Sequence, residues 1–172
     1  MIGKEIINNI IGFFTDYVKV PFLLTDKTSI MAFLRTGYFH VHGASFLYPD
    51  KADPVSLSSS AASWSQSGAI VEIIPVNTIT KNFDLHFVNV SDISADLYGV
   101  IDLFSGTAGN EVKIGSVEVT RTSNFAQEGN RPLQIPQQLA NTRISARFSD
   151  STTSIRTCKI KLYGHVYSTS LT

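Results

Sequence analysis

Charge is the first thing this sequence has little of. Asp, Glu, Lys and Arg make up 16% of its 172 residues, and 14 basic residues cancel 14 acidic ones to a formal net charge of zero. Without a global positive field the chain is a poor general binder of nucleic acid, so no direct nucleic-acid partner is expected. Cysteine is nearly missing too. Cys158 stands alone, which excludes an intrachain disulfide and a Cys-rich metal site. An unbroken apolar run of membrane-spanning length is absent. In residues 1–24 the run is interrupted by Lys4, Glu5, Asn8, Asn9, Thr15, Asp16 and Lys19 and broken by Pro21, so neither a membrane anchor nor a cleaved leader is expected. Internal repeats are not evident, and the one low-complexity stretch is the Ser/Ala run 56–67 around Trp64.

What is present is apolar residue in ordered patterns, 43% of the chain counting Ala, Val, Ile, Leu, Met, Phe, Trp, Tyr and Cys. The length suits one well-buried core with an extension. Near the start, Ile6, Ile7, Ile10, Ile11, Phe14, Tyr17 and Val18 recur at helical spacing and predict an amphipathic helix over 3–18. A weaker helical pattern covers 28–34, with Asp26 or Thr28 as N-cap and Gly37 beyond the end. Residues 1–36 are therefore expected to form a helical arm, and 37–172 a β domain.

Past Gly37 the period changes to two. Candidate strands fall at 38–42, 55–57, 70–74, 83–90, 97–104, 112–120, 133–135, 142–148 and 155–167, separated by Gly, Pro, Asn, Asp and Ser clusters. In the last of them Cys158, Ile160, Leu162 and Val166 share one parity, and Lys159, Lys161, Tyr163 and His165 the other. Alternation slips at Gly115 and Ser116, which a β-bulge at Gly115 would repair. Many short strands without a βαβ rhythm favour an all-β fold, an antiparallel Greek-key sandwich of jelly-roll type led by a short helical arm.

The residues that carry chemistry elsewhere are here without a diagnostic pattern. His40 and His42, two apart in a strand, would face one side and could share a metal if a third ligand came from elsewhere. A solvent-facing or hydrogen-bonded pair is the favoured reading. His86 and His165 lie far apart, and no carboxylate stands at a diagnostic spacing from them. Cys158 belongs to an apolar face, where a thiolate is poorly stabilised, so an inert thiol is expected. No Ser sits in a G-x-S-x-G elbow. Gly106 and Gly109 read as a hairpin turn, since no helix follows to make a phosphate loop. Asp84, Asp92, Asp96 and Asp102 read as strand-edge and turn carboxylates rather than a glycosidase pair. No catalytic residue, metal or cofactor is assigned, and the chain is expected not to be an enzyme.

The remaining candidates are interface residues. If the short polar link 149–154 joins its flanking strands as a hairpin, Arg143, Arg147, Lys159 and Lys161 share one exposed face. Like charges set across strands repel, so such a face either meets an acidic partner or stands solvated with counter-ions. Arg121 and Arg131 would extend it. Tyr163 and Tyr167 lie on the Lys parity of the last strand and would serve as interface anchors or sugar-stacking platforms.

The run Thr36-Gly37-Tyr38-Phe39-His40-Val41-His42-Gly43 begins a set of matches that continues through Tyr48-Pro49, Ala52-Asp53-Pro54-Val55 and Ile73-Ile74-Pro75. Further on come Thr78-Ile79-Thr80-Lys81, Phe83-Asp84-Leu85-His86, Ser94-Ala95-Asp96-Leu97-Tyr98, Ile114-Gly115-Ser116-Val117, Gln134-Ile135-Pro136, Ala140-Asn141-Thr142-Arg143-Ile144-Ser145 and Leu162-Tyr163-Gly164-His165-Val166-Tyr167. Together these resemble small structural proteins of tailed bacteriophages, from about Thr36 to Tyr167. The resemblance implies a β-sandwich component of a virion and no catalytic residue.

The expectation is thus a virion protein, localised to the particle, that decorates or cements the capsid through buried interface. Its partners would be other virion proteins and further copies of itself. Ile6, Ile7, Ile10, Ile11 and Phe14 would bind a neighbour or oligomerise the chain. The alternatives are a tail, baseplate or neck component, or a module binding host glycans through Tyr163, Tyr167 or Trp64.

Overall fold

Alternating β-branched and aromatic residues dominate the chain from residue 42 on, and their apolar parity decides which face of each strand is buried. The computed structural model describes residues 42–50 and 53–167. The chain divides after His40 into two units, and the described residues all belong to the second. They contain no helix. The helices expected over 3–18 and 28–34, with Ile6, Ile7, Ile10, Ile11 and Phe14, lie outside the described residues, as does His40.

Among the described residues ten strands follow in order: β1 (His42–Tyr48), β2 (Val55–Ser58), β3 (Val71–Ile74), β4 (Phe83–Ser91), β5 (Leu97–Ser105), β6 (Val112–Thr122), β7 (Phe125–Ala126), β8 (Gly129–Pro132), β9 (Ile144–Asp150) and β10 (Thr157–Tyr167). They form two five-stranded antiparallel sheets. One runs β1-β10-β4-β8, with β2 pairing the first half of β10. The other runs β3-β9-β5-β6-β7.

The two sheets share one hydrophobic core. The first gives Leu57, Phe83, Leu85, Val88, Val90, Cys158, Ile160 and Leu162; the second gives Ile74, Leu97, Ile101, Leu103, Val117, Val119, Ile144, Ala146 and Phe148. Leu133 and Ile135, expected in a strand, are buried but lie outside one, and the strand beside β4 is β8, immediately before them. They pack instead over Gly115, where a Cβ would come within 2.9 Å of Leu133 and 3.0 Å of Ile135. Their alternation reflects a covering segment.

The slip in β6 is a bulge. Leu103 pairs with Gly115 and Phe104 with Lys113, so Ile114 is the inserted residue, next to the glycine where the break in alternation places it. The turn joining β5 to β6 carries Gly106 at φ 114° and Gly109 at φ 84°, backbone that L side chains rarely adopt. Of the first expected strand, 38–42, only His42 is among the described residues, where it opens β1.

One expectation is overturned with consequences for function. β9 and β10 are not a hairpin: β9 lies between β3 and β5 in one sheet, β10 between β1 and β4 in the other. The link 151–156 crosses between sheets, tied down by Ser151 N–H to the Tyr98 carbonyl at 2.8 Å and Arg156 N–H to Ser59 Oγ at 3.0 Å.

Candidate functional site

The basic face does not exist as one surface. Arg147 stands on β9 of the second sheet with Arg143 just before that strand, and Lys159 and Lys161 stand on β10 of the first. Each arginine is already engaged. Arg143 holds Glu72 at 2.7 Å and Glu111 at 3.0 Å. Arg147 lies opposite Asp102 in the β5–β9 ladder, at 3.7 Å, and its guanidinium sits 5.0 Å from the centre of the Phe104 ring. It also donates to the carbonyl and side chain of Gln66. Asp102, only 5% exposed in its side chain, is met by Lys113 at 2.6 Å and Ser116 Oγ at 2.8 Å as well. These groups fasten the outer face of the second sheet. Lys159 pairs with Asp92 at 2.9 Å, and that hydrogen bond and charge hold its ammonium above the usual lysine range. Neither Arg121 nor Arg131 joins a shared patch: Arg121 donates to the Ile93 carbonyl, and Arg131 lies on the edge strand β8 opposite Val88.

The first sheet gathers a different cluster. Phe83 and Leu85 of β4 turn into the core, which puts Asp84 on the outer face. In β10 the parity that buries Cys158, Ile160 and Leu162 sends Tyr163, His165 and Tyr167 outward, as the sequence pattern predicts. His165 lies directly opposite Asp84 in the β4–β10 ladder. Two residues further along β4 the register shifts: Gly164 pairs with Leu85, but Tyr163 pairs with Phe87. His86 is the inserted residue of this bulge, and bulges re-aim side chains. The result sets Asp84, His86, His165 and Tyr167 together from two neighbouring strands.

Asp84 is the hub. His86 Nε2 lies 3.0 Å from its Oδ1, and Tyr167 Oη donates to its Oδ2 at 2.5 Å. The His86 and His165 rings meet edge-on, centres 4.5 Å apart at 65°. One ligand atom from each of Asp84, His86 and His165 can be chosen so that all lie within 4.8 Å of one another. Exposure is graded: the Asp84 side chain is 13% exposed and His86 35%. Burial, then the hydrogen bond to Asp84 and its negative charge, push the Tyr167 phenol up to about 12. Tyr167 therefore stays protonated at neutral pH and acts as a donor to the carboxylate.

This arrangement can orient a carboxylate, keep a His–Asp pair in contact, and offer two imidazoles and an oxygen to a cation. No sequence motif announces it. The only trace is that Asp84-x-His86 and His165-x-Tyr167 each present two polar residues to one face of a strand; the β4–β10 ladder that joins them spans most of the domain. The Tyr167 hydroxyl is thus committed to Asp84, and Tyr163 and Tyr167 are both half-buried. Trp64 is 50% exposed, in the link between β2 and β3. Cys158 is buried, and burial pushes its thiol up to about 12, as an inert core thiol requires. His42 lies opposite Tyr167 in the β1–β10 ladder. Comparison of the chain with family models, curated proteins and solved structures gives no match.

Proposed function

We propose that the chain is a structural component of a virus particle, its β domain a jelly-roll sandwich acting through its surfaces rather than by catalysis. Strand order carries this reading. With β1 and β2 taken as one split strand and the two-residue β7 set aside, the sheets run first, eighth, third, sixth and second, seventh, fourth, fifth. That order matches two nested Greek keys and supports a jelly roll, a fold used repeatedly for viral capsid and lectin domains. A fold alone does not specify a role. The resemblance of the segments between Thr36 and Tyr167 to tailed-phage structural proteins directs the choice toward the particle.

Within that class the proposed role is capsid decoration or cement. Many copies would each bury a modest interface on neighbouring shell subunits, with the apolar arm 1–36 and a neighbouring chain as the principal contact. The dispersed positions of Arg143, Arg147, Lys159 and Lys161 remove the single basic docking face from this picture. For the glycan-binding alternative, Trp64 is the exposed ring, while Tyr167 is half-buried with its hydroxyl on Asp84.

Gold-labelled antibody against the chain, applied to purified particles, tests the reading. Label spread over the heads supports decoration. Label confined to a tail, baseplate or neck supports the sibling role, and particles without label contradict the proposal.

A further inference from the structure

We propose that Asp84, His86 and His165 form a binding site for one borderline divalent transition-metal ion of the zinc type, with Tyr167 positioning the carboxylate. Two imidazoles and one carboxylate are a donor set suited to zinc, cobalt, nickel or iron(II), and too poor in oxygen for calcium or magnesium. The geometry is close to what such an ion needs. Metal–ligand bonds of about 2.0–2.1 Å in a tetrahedron place ligand atoms about 3.3 Å apart. His86 Nε2 and Asp84 Oδ1 are already 3.0 Å apart, and one donor atom from each of Asp84, His86 and His165 can be chosen so that all three lie within 4.8 Å of one another.

The surroundings match a metal centre in two further respects. Tyr167 Oη donates to Asp84 Oδ2 at 2.5 Å, which fixes the carboxylate and leaves Oδ1 for the ion. Ligating carboxylates are ordinarily held by such outer hydrogen bonds. The backbone is also built for it: His165 and Asp84 face each other across the ladder, and the bulge inserts His86 beside them. The His86 side chain is 35% exposed, so solvent reaches the edge of the cluster. The bound ion would cross-link β4 to β10, the two central strands of the first sheet. This site is independent of the virion reading and stands or falls separately.

The test uses the full-length, tag-free protein stripped with chelator and titrated with Co²⁺. One equivalent should bind with a visible d–d spectrum of a four- or five-coordinate ion, displaced by Zn²⁺, and should raise the melting temperature. His86→Gln and His165→Gln should each abolish the spectrum, with the fold checked by circular dichroism. Tyr167→Phe should retain it but weaken binding by about tenfold, the lower end of the effect of losing an outer-shell partner. The proposal is overturned if the folded wild-type protein gives no spectrum at millimolar Co²⁺. It is equally overturned if the spectrum survives His86→Gln and His165→Gln and disappears in His40→Gln/His42→Gln.

Discussion

At Gly164 the backbone of β10 passes so close to its neighbours that a Cβ would lie 2.0 Å from the Asp84 carbonyl oxygen and 2.7 Å from the Phe46 ring. The carbonyl belongs to the β4 ladder and cannot swing away. Gly164→Ala should therefore cost roughly 3 kcal/mol, the upper end of overpacking, read by chemical denaturation. An unchanged midpoint would show that β4 and β10 are less tightly apposed. Cys158 gives a prediction of opposite kind. Burial favours its neutral thiol, so its pKa is raised from 9.0 to about 12 in the fold. A raised acid pKa contributes stability present below the unfolded value and lost as pH rises through the folded one. Wild type should lose stability between about pH 9 and 12 relative to Cys158→Ala, and the native thiol should ignore a thiol reagent at pH 8 that reacts with it once unfolded. The inward parity of Cys158, Ile160 and Leu162 was legible from alternation alone. The Asp84–His86–His165 cluster was not, because alternation assigns a face and not the strand that lies next to it.

For the strands, periodicity located most of the elements and misassigned one connection. A short polar link between two alternating runs is compatible with a hairpin and equally with a crossing from sheet to sheet. Here the second is realised, because β9 and β10 each bury an apolar face from opposite sides of the same core. The same crossing explains why Arg147 is tied to Asp102 and Gln66 on the second sheet rather than standing beside Lys159 and Lys161. Its partner Asp102 has a side chain only 5% exposed and is held from both flanking strands, by Arg147 of β9 and Ser116 of β6. Asp102→Ala should cost about 3 kcal/mol, as removal of one member of a buried ionic network does. Lys113, 53% exposed, should matter far less: Lys113→Ala is expected to cost under about 1 kcal/mol. Equal losses from the two substitutions in thermal melts would contradict this hierarchy. The pairing of Asp102 with Arg147 depends on the β5–β9 register, which no local pattern in the sequence specifies.

Across the whole molecule, composition and patterning were enough for an all-β body of two antiparallel sheets, and the observed strand order gives the proposed jelly roll its strongest support. The low charge content and zero net charge suit a subunit whose surface is largely covered by neighbours. If the arm makes those contacts, a variant lacking 1–36 should keep its β-rich circular dichroism and lose self-association in mass measurement; retained oligomers would move the contact to the β domain. The most direct test of the proposed particle assignment is quantitative mass spectrometry of gradient-purified virions of the phage proposed to carry the chain. A virion component predicts a fixed copy number per particle that persists through repeated purification. A protein abundant in infected cells but missing from the purified particles would contradict it.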